Sequence, residues 1–193
     1  ILSILFGLTL LVSCNGFLAE EPRSEMNIDQ FFSSPTHAYS AVNILYRDGY
    51  PGFFAAGIYA GSRVMLGGYI SGLYDNDYKG QEVHVQHSHD LTLNGHNLSG
   101  YFDGAWDNCY AAISKANLAI NNIPSTPDLT DKEKNQLIAQ AKFFRALNYF
   151  YLVKTFGDVP LILRNIASLE NLYVQRTPCY EIYNQIIEDL KFA

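Results

Sequence analysis

Between Leu137 and Phe156 the chain is apolar on most sides of a helix. Ile138, Ala141, Phe144, Leu147, Phe150, Leu152 and Val153 cannot share one stripe. A helix apolar nearly all round has to be covered from several directions. Its start is marked by Thr130-Asp131-Lys132-Glu133. There the threonine hydroxyl meets the N–H of Glu133, and the glutamate carboxylate reaches back to the backbone of Thr130. Gly157 follows Phe156 and can close the last turn in a left-handed cap.

Other segments supply the cover. Ser34-Pro35 opens a helix, because serine caps free N–H groups and proline is tolerated at the first helical position. Ala38, Ala41, Val42 and Leu45 share one face of it, and it ends near Asp48-Gly49. From about residue 100, Tyr101, Ala105, Cys109, Ala112, Ala116, Ala119 and Ile123 recur at helical spacing until Pro124. The alanines suit close packing against a neighbour. Asp158 to Ile162 reads as extended. Thr177-Pro178 starts a last helix, with Tyr183, Ile186, Ile187 and Leu190 on one side and Glu188, Asp189 and Lys191 on the other. That apolar face meets no further segment after Ala193, so the chain reads as cut there. The expected fold is mainly α, with tetratricopeptide-like helix pairs and a long irregular loop segment. The strict period of about 34 residues of that repeat is not seen.

Residues 49–100 form the irregular part. Gly49, Pro51, Gly52, Gly67, Gly68 and Gly72 argue against one long helix. The reading is a short helix around 57–66 and loops elsewhere. A long irregular segment inside a compact domain is usually functional or mobile.

At the other end, Ile1 to Val12 carries no charge, yet it is shorter than the roughly 20 residues that span a bilayer. It has the length of a signal-peptide hydrophobic region. Leu11-Val12-Ser13-Cys14 resembles the bacterial lipobox, in which a peptidase cuts before the cysteine and the cysteine carries the lipid. Cys14 is the expected lipidation site. No initiator methionine or basic leader precedes Ile1, so the start also reads as clipped. Residues 15 to about 30 are polar and acidic. The expected organisation is a lipoprotein signal peptide at 1–13, a tether at 14–30 and a helical domain at 31–193, truncated at its C-terminus.

Net charge is −6 and no Lys/Arg cluster occurs, which argues against nucleic acid as a partner. With Cys14 acylated, Cys109 and Cys179 remain, enough for one bridge at most. His84, His87, His89 and His96 cluster, but no recognisable zinc spacing completes a site. They read as solvated loop histidines. Asp75-Asn76-Asp77 lacks the full calcium-loop spacing and reads as a turn. Asp90, Asp103 and Asp107 are available carboxylates, but no glycosidase pair is legible among them. Gly61-Ser62 lacks a nucleophile frame. Trp106 shares a helical face with Tyr110 and Ile113 and is assigned to packing. Tyr74, Tyr78, Asn97 and Tyr101 are the candidate ligand contacts. Tyrosine stacks on the C–H face of a pyranose, and asparagine bonds its hydroxyls. Arg145 is assigned a structural role, with Asp158 and Asp189 as candidate partners, since a buried charge must be paired.

Several stretches together resemble one family. Cys14-Asn15-Gly16-Phe17-Leu18 with Glu21-Pro22 is similar to the start of SusD/RagB lipoproteins. Trp106-x-x-x-Tyr110-x-x-Ile113-x-x-Ala116-Asn117 resembles their first core helix. Ala141-Lys142-Phe143-Phe144-Arg145-Ala146-Leu147-x-Tyr149, then Phe156-Gly157-Asp158-Val159-Pro160-Leu161, resembles their most specific motif. Glu181-Ile182-Tyr183-x-x-Ile186-Ile187-x-Asp189-Leu190 resembles the next helix. Residues 49–100 match poorly. The resemblance implies a tetratricopeptide-like scaffold and a lipid anchor in the outer membrane at the cell surface. It implies binding of glycans or other nutrients beside a SusC-type TonB-dependent transporter. It implies no enzymatic activity and no cofactor. The competing expectation is a helical-repeat adaptor that holds a membrane complex and binds no small ligand.

Overall fold

The computed structural model describes residues 27–49, 68, 70–73, 75, 83–94, 96–97, 100–164 and 173–193; for residues 29, 84 and 100–103 it describes the backbone only. Helices α1 (Ile28–Phe31), α2 (Pro35–Asp48), α3 (Val83–His89), α4 (Gly100–Asn122), α5 (Asp131–Phe156) and α6 (Cys179–Phe192) follow in order. A 3-10 turn, Ile123–Ser125, ends α4 at the proline. The fold is mainly α, and the expected helix at 57–66 lies outside the described residues.

The helix directions follow from their contacts. Tyr39 reaches Glu133 and Tyr46 reaches Gln140, so α2 and α5 run parallel. Asn117 meets Arg145 while Trp106 meets Phe156, so α4 runs antiparallel to α5. Arg145 meets Asp189 while Lys142 lies over Phe192, so α6 is antiparallel to α5 too. Two helix hairpins stacked with alternate helices parallel are the tetratricopeptide-like arrangement. Helix α5 packs on α2, α4 and α6, which is why it is apolar nearly all round.

Among the described residues the core has two parts along α4 and α5. One joins Phe32, Ala38, Val42 and Leu45 to Ala116, Ala119, Leu137, Ala141 and Phe144. The other joins Cys109 and Ile113 to Tyr149, Leu152, Val159, Ile182 and Ile186. Fully buried alanines at 38, 116, 119 and 141 let the helix backbones approach closely. Gly49 serves the same end. A Cβ there would clash with the Leu45 carbonyl and lie 2.9 Å from Cδ1 of Phe144.

Several local expectations are corrected. Ser34 is the N-cap of α2, but its hydroxyl makes no capping bond; its carbonyl accepts from the N–H groups of His37 and Ala38 instead. Asn27 and Gln30 form a capping box for α1, so the last residues of the expected tether are helical. Helix α3 stands where loop was expected; Val85 and Ser88, three residues apart, are buried among its described side chains, and a buried serine gives no apolar signal. Gly157 has φ +70° as a cap requires, but its ψ of −128° lies outside the left-handed helical well. On α6 the buried face is Ile182, Ile186 and Asp189, while Tyr183, Ile187 and Leu190 are exposed. The helix is turned toward the charge it must deliver to Arg145.

Candidate functional site

Within the irregular segment, residues 90–94, 96 and 97 form a compact polar turn next to α3. Thr92 is its hub. The Thr92 backbone N–H donates to the carbonyl of His87, and its hydroxyl lies 2.8 Å from Nδ1 of that histidine. Asn97 closes the turn from the far side. Its Oδ1 accepts from the N–H of Asn94 at 2.7 Å, and its Nδ2 donates to the Thr92 carbonyl at 2.9 Å. Asn94 in turn accepts from the N–H of His96. Thus Asn97 commits its oxygen and one amide hydrogen to the backbone of the turn. Leu91, at φ +56°, makes the sharp exit from α3.

His89 joins this turn to the preceding strip of chain. Its Nε2 lies 3.2 Å from Asp75 and its Nδ1 2.9 Å from Asp90. The two carboxylates approach opposite ring nitrogens, so they cannot share one metal ion with this histidine. Among the described residues no group of three or more His, Cys, Asp or Glu is arranged to hold a metal. His87 and His89, expected in a loop, both lie on α3, where side chains two residues apart point away from each other. Tyr74, Tyr78 and Cys14 lie outside the described residues. Tyr101 is placed on the first turn of α4, directly after this polar turn, by its backbone alone.

Trp106 is half-buried, with its ring 5.0 Å from Tyr110 and 5.2 Å edge-on from Phe156. It belongs to the core beside α5. Asp107 is exposed on α4.

A second polar constellation among the described residues is internal. Arg145, 5% exposed, donates from Nε and Nη2 to the two oxygens of Asp189 at 2.7 Å each, and from Nη1 to Asn117 at 2.9 Å. Asn117 passes the chain on, donating to the Ile162 carbonyl at 2.8 Å. Tyr149 donates to that same carbonyl and accepts from the Ile162 N–H at 2.7 Å. Tyr110 holds the Pro160 carbonyl. The extended stretch at 159–163 is therefore strapped to α4 and α5 by side chains, with Val159 bridging to Thr177. Of the two candidate partners of Arg145, Asp189 makes the pair. Asp158 accepts from the N–H of Cys179 at 2.8 Å and so caps the start of α6. Burial pushes the Tyr149 hydroxyl up to about 12, which keeps it a neutral donor. The roles of Asn117 and Tyr149 were missed in sequence; both stood there only as letters of stretches that resemble the family.

Comparison with known proteins places these features in one group. Residues 17–193 match the family model SusD-like_3, described as starch-binding and associating with the outer membrane. SusD-like protein P2 of Formosa agariphila is 30% identical over 191 residues, which is 96% of this chain and 35% of that protein. A SusD superfamily protein from Parabacteroides distasonis is 39% identical over 56% of this chain and 23% of its own, with a TM-score of 0.52. A laminarin-binding SusD-like protein superposes with a TM-score of 0.66 at 23% identity, over 83% of this chain and 33% of its own. The chain thus spans about a third of the length of P2 and of the laminarin binder.

Proposed function

Because the chain belongs to the SusD-like family of starch-binding proteins that associate with the outer membrane, we propose that it is the N-terminal part of a cell-surface glycan-binding lipoprotein. In this reading Cys14 is the acylated first residue after removal of 1–13, residues 14–30 tether it, and the helices from 31 onward are the scaffold. With several acyl chains, each buried CH₂ contributing roughly 0.8 kcal/mol, such an anchor holds firmly. No described helix is long and apolar enough to cross a membrane. The protein hands an oligosaccharide or other nutrient to a SusC-like TonB-dependent transporter and performs no chemistry on it. The observation that carries the reading is the family match across residues 17–193. The laminarin-binding neighbour of the same fold supports it.

Within this chain the ligand contacts are assigned to Tyr74, Tyr78, Asn97 and Tyr101. Loops on a rigid frame are where binding groups concentrate, and the polar turn around Thr92 gives Asn97 a fixed position. The test uses the full-length acylated protein on an array of storage, cell-wall and algal polysaccharides. The expected result is selective binding with no release of reducing ends. Product release would make it an enzyme. Silence toward every glycan, with a transporter still co-isolating, would leave the adaptor.

A further inference from the structure

The parallel pairing of α2 and α5 leaves an open seam between them. Tyr39 and Tyr46 stand two turns apart on α2, and their partners Glu133 and Gln140 stand two turns apart on α5. Seven residues of helix advance about 10 Å, so two aromatic rings repeat at that interval. Neither ring is buried, at 40% and 56% exposure. Tyr46 is nonetheless fixed, and Tyr39 is held more loosely. The Tyr46 hydroxyl donates to Gln140 at 2.9 Å, and its ring stands edge-on to Phe144 at 5.0 Å; the Tyr39 hydroxyl reaches Glu133 at 3.4 Å. Asn43, exposed, lies one turn from each tyrosine. Across the seam, Gln136, Gln140 and Phe143 continue the same stripe of α5, with Phe143 43% exposed.

These six side chains are all uncharged. The charges stand at the ends: Glu133 is drawn into the capping box of Thr130, and Asp48 is closed by Arg47 and Lys115. A charged ligand finds no counter-charge in the middle. A polyhydroxylated one finds ring faces to stack on and amides to bond. We propose that this seam is a second glycan platform, for an extended β-1,4-linked pyranose chain with Tyr39 and Tyr46 under alternate sugars. In such a flat chain successive rings alternate in facing, so the same face returns at every second residue, an interval of the order of the tyrosine repeat. A ring held in place before binding, as that of Tyr46 is, loses little freedom on contact. The inference rests on the glycan-binding reading but places the contact on helices rather than on the irregular segment.

The experiment titrates the full-length protein calorimetrically with cellohexaose and mannohexaose, which are flat, and with maltohexaose and laminarihexaose, which coil. A flat chain is expected to bind. Tyr39→Ala and Tyr46→Ala should each weaken it about tenfold or more, the range of a contact that matters. Tyr46→Phe should retain most of the affinity. Asn43→Lys, which fills the seam from an exposed position without removing packing, should also weaken binding about tenfold. Three results overturn the seam site: binding of the coiled sugars alone, no binding of either flat sugar, or unchanged affinity in Asn43→Lys and both alanine variants. If unchanged affinity comes with a lowered melting temperature, the seam is a packing surface for another segment. The glycan-binding reading itself is judged separately, by the wider array.

Discussion

Arg145 and Asp189 face each other through two parallel N–H···O bonds of 2.7 Å, sealed between α5 and α6. Gln185, one turn before Asp189, adds a third donor to that carboxylate at 3.1 Å. Bidentate pairing satisfies both groups in a place where water does not reach. Removing one partner strands the other. Arg145→Met is therefore expected to cost about 3–5 kcal/mol in urea denaturation, whereas adding Asp189→Leu should restore part of it, because an apolar pair needs no solvent. An unchanged melting temperature in Arg145→Met would remove the pair from the account of stability.

The strap at 159–163 gives a second prediction. Tyr149→Phe keeps the ring in the core but deletes the hydroxyl that serves both polar groups of Ile162. The Ile162 N–H loses its partner, while its carbonyl keeps Asn117. A loss of about 1–3 kcal/mol is expected. Hydrogen exchange should locate it, with the Ile162 amide losing protection before α5 does.

How much of this was legible depends on how each residue signals. Helices α2, α4 and α5 were readable because their buried residues are apolar and recur at helical spacing. The Thr130–Glu133 box was readable because it is a local device. Asp189 was legible as one of two candidate partners of Arg145, but not as part of the buried face of α6, since an acid on an amphipathic helix reads as solvent-facing until its partner is placed in space. Tyr149 and Asn117 are polar groups whose partners lie 13 and 45 residues away in sequence, and periodicity carries no information about them. Helix α3 was missed because its seven residues are mostly polar. The seam between α2 and α5 became visible only when the two helices were known to run parallel.

The two described cysteines differ sharply in reactivity. Neither is in a disulfide; Cys109 is buried and Cys179 is exposed. Burial pushes the Cys109 thiol up to about 12, and the thiolate is the reactive form. At about pH 8, near the ordinary thiol pKa, in a protein whose Cys14 is acylated or replaced by serine, a thiol reagent should modify Cys179 within minutes. Cys109 should react only with unfolding. Two fast thiols in the native state would place Cys109 at the surface.

Asp48 supplies the pH dependence. Hydrogen bonds from Arg47, and then from Lys115, hold its carboxyl well below the usual carboxylate range. A depressed folded-state pKa means that the unfolded chain takes up the proton more readily. The contribution of Asp48 is then fully present above the ordinary aspartate pKa of about 4 and is lost as pH falls through the lower folded value. Asp48→Asn should melt below the parent near neutral pH, and the gap should narrow steadily as the pH is lowered from about 4 toward about 2. Lys115 ties the end of α2 to α4 through this carboxylate, so Lys115→Met should reproduce part of the loss near neutral pH. Added salt should shrink both differences, because the groups are solvent-accessible and screened. A gap that stays constant across the pH range would mean that the asparagine substitution disturbs packing and that the charge of Asp48 is not what holds α2 to α4.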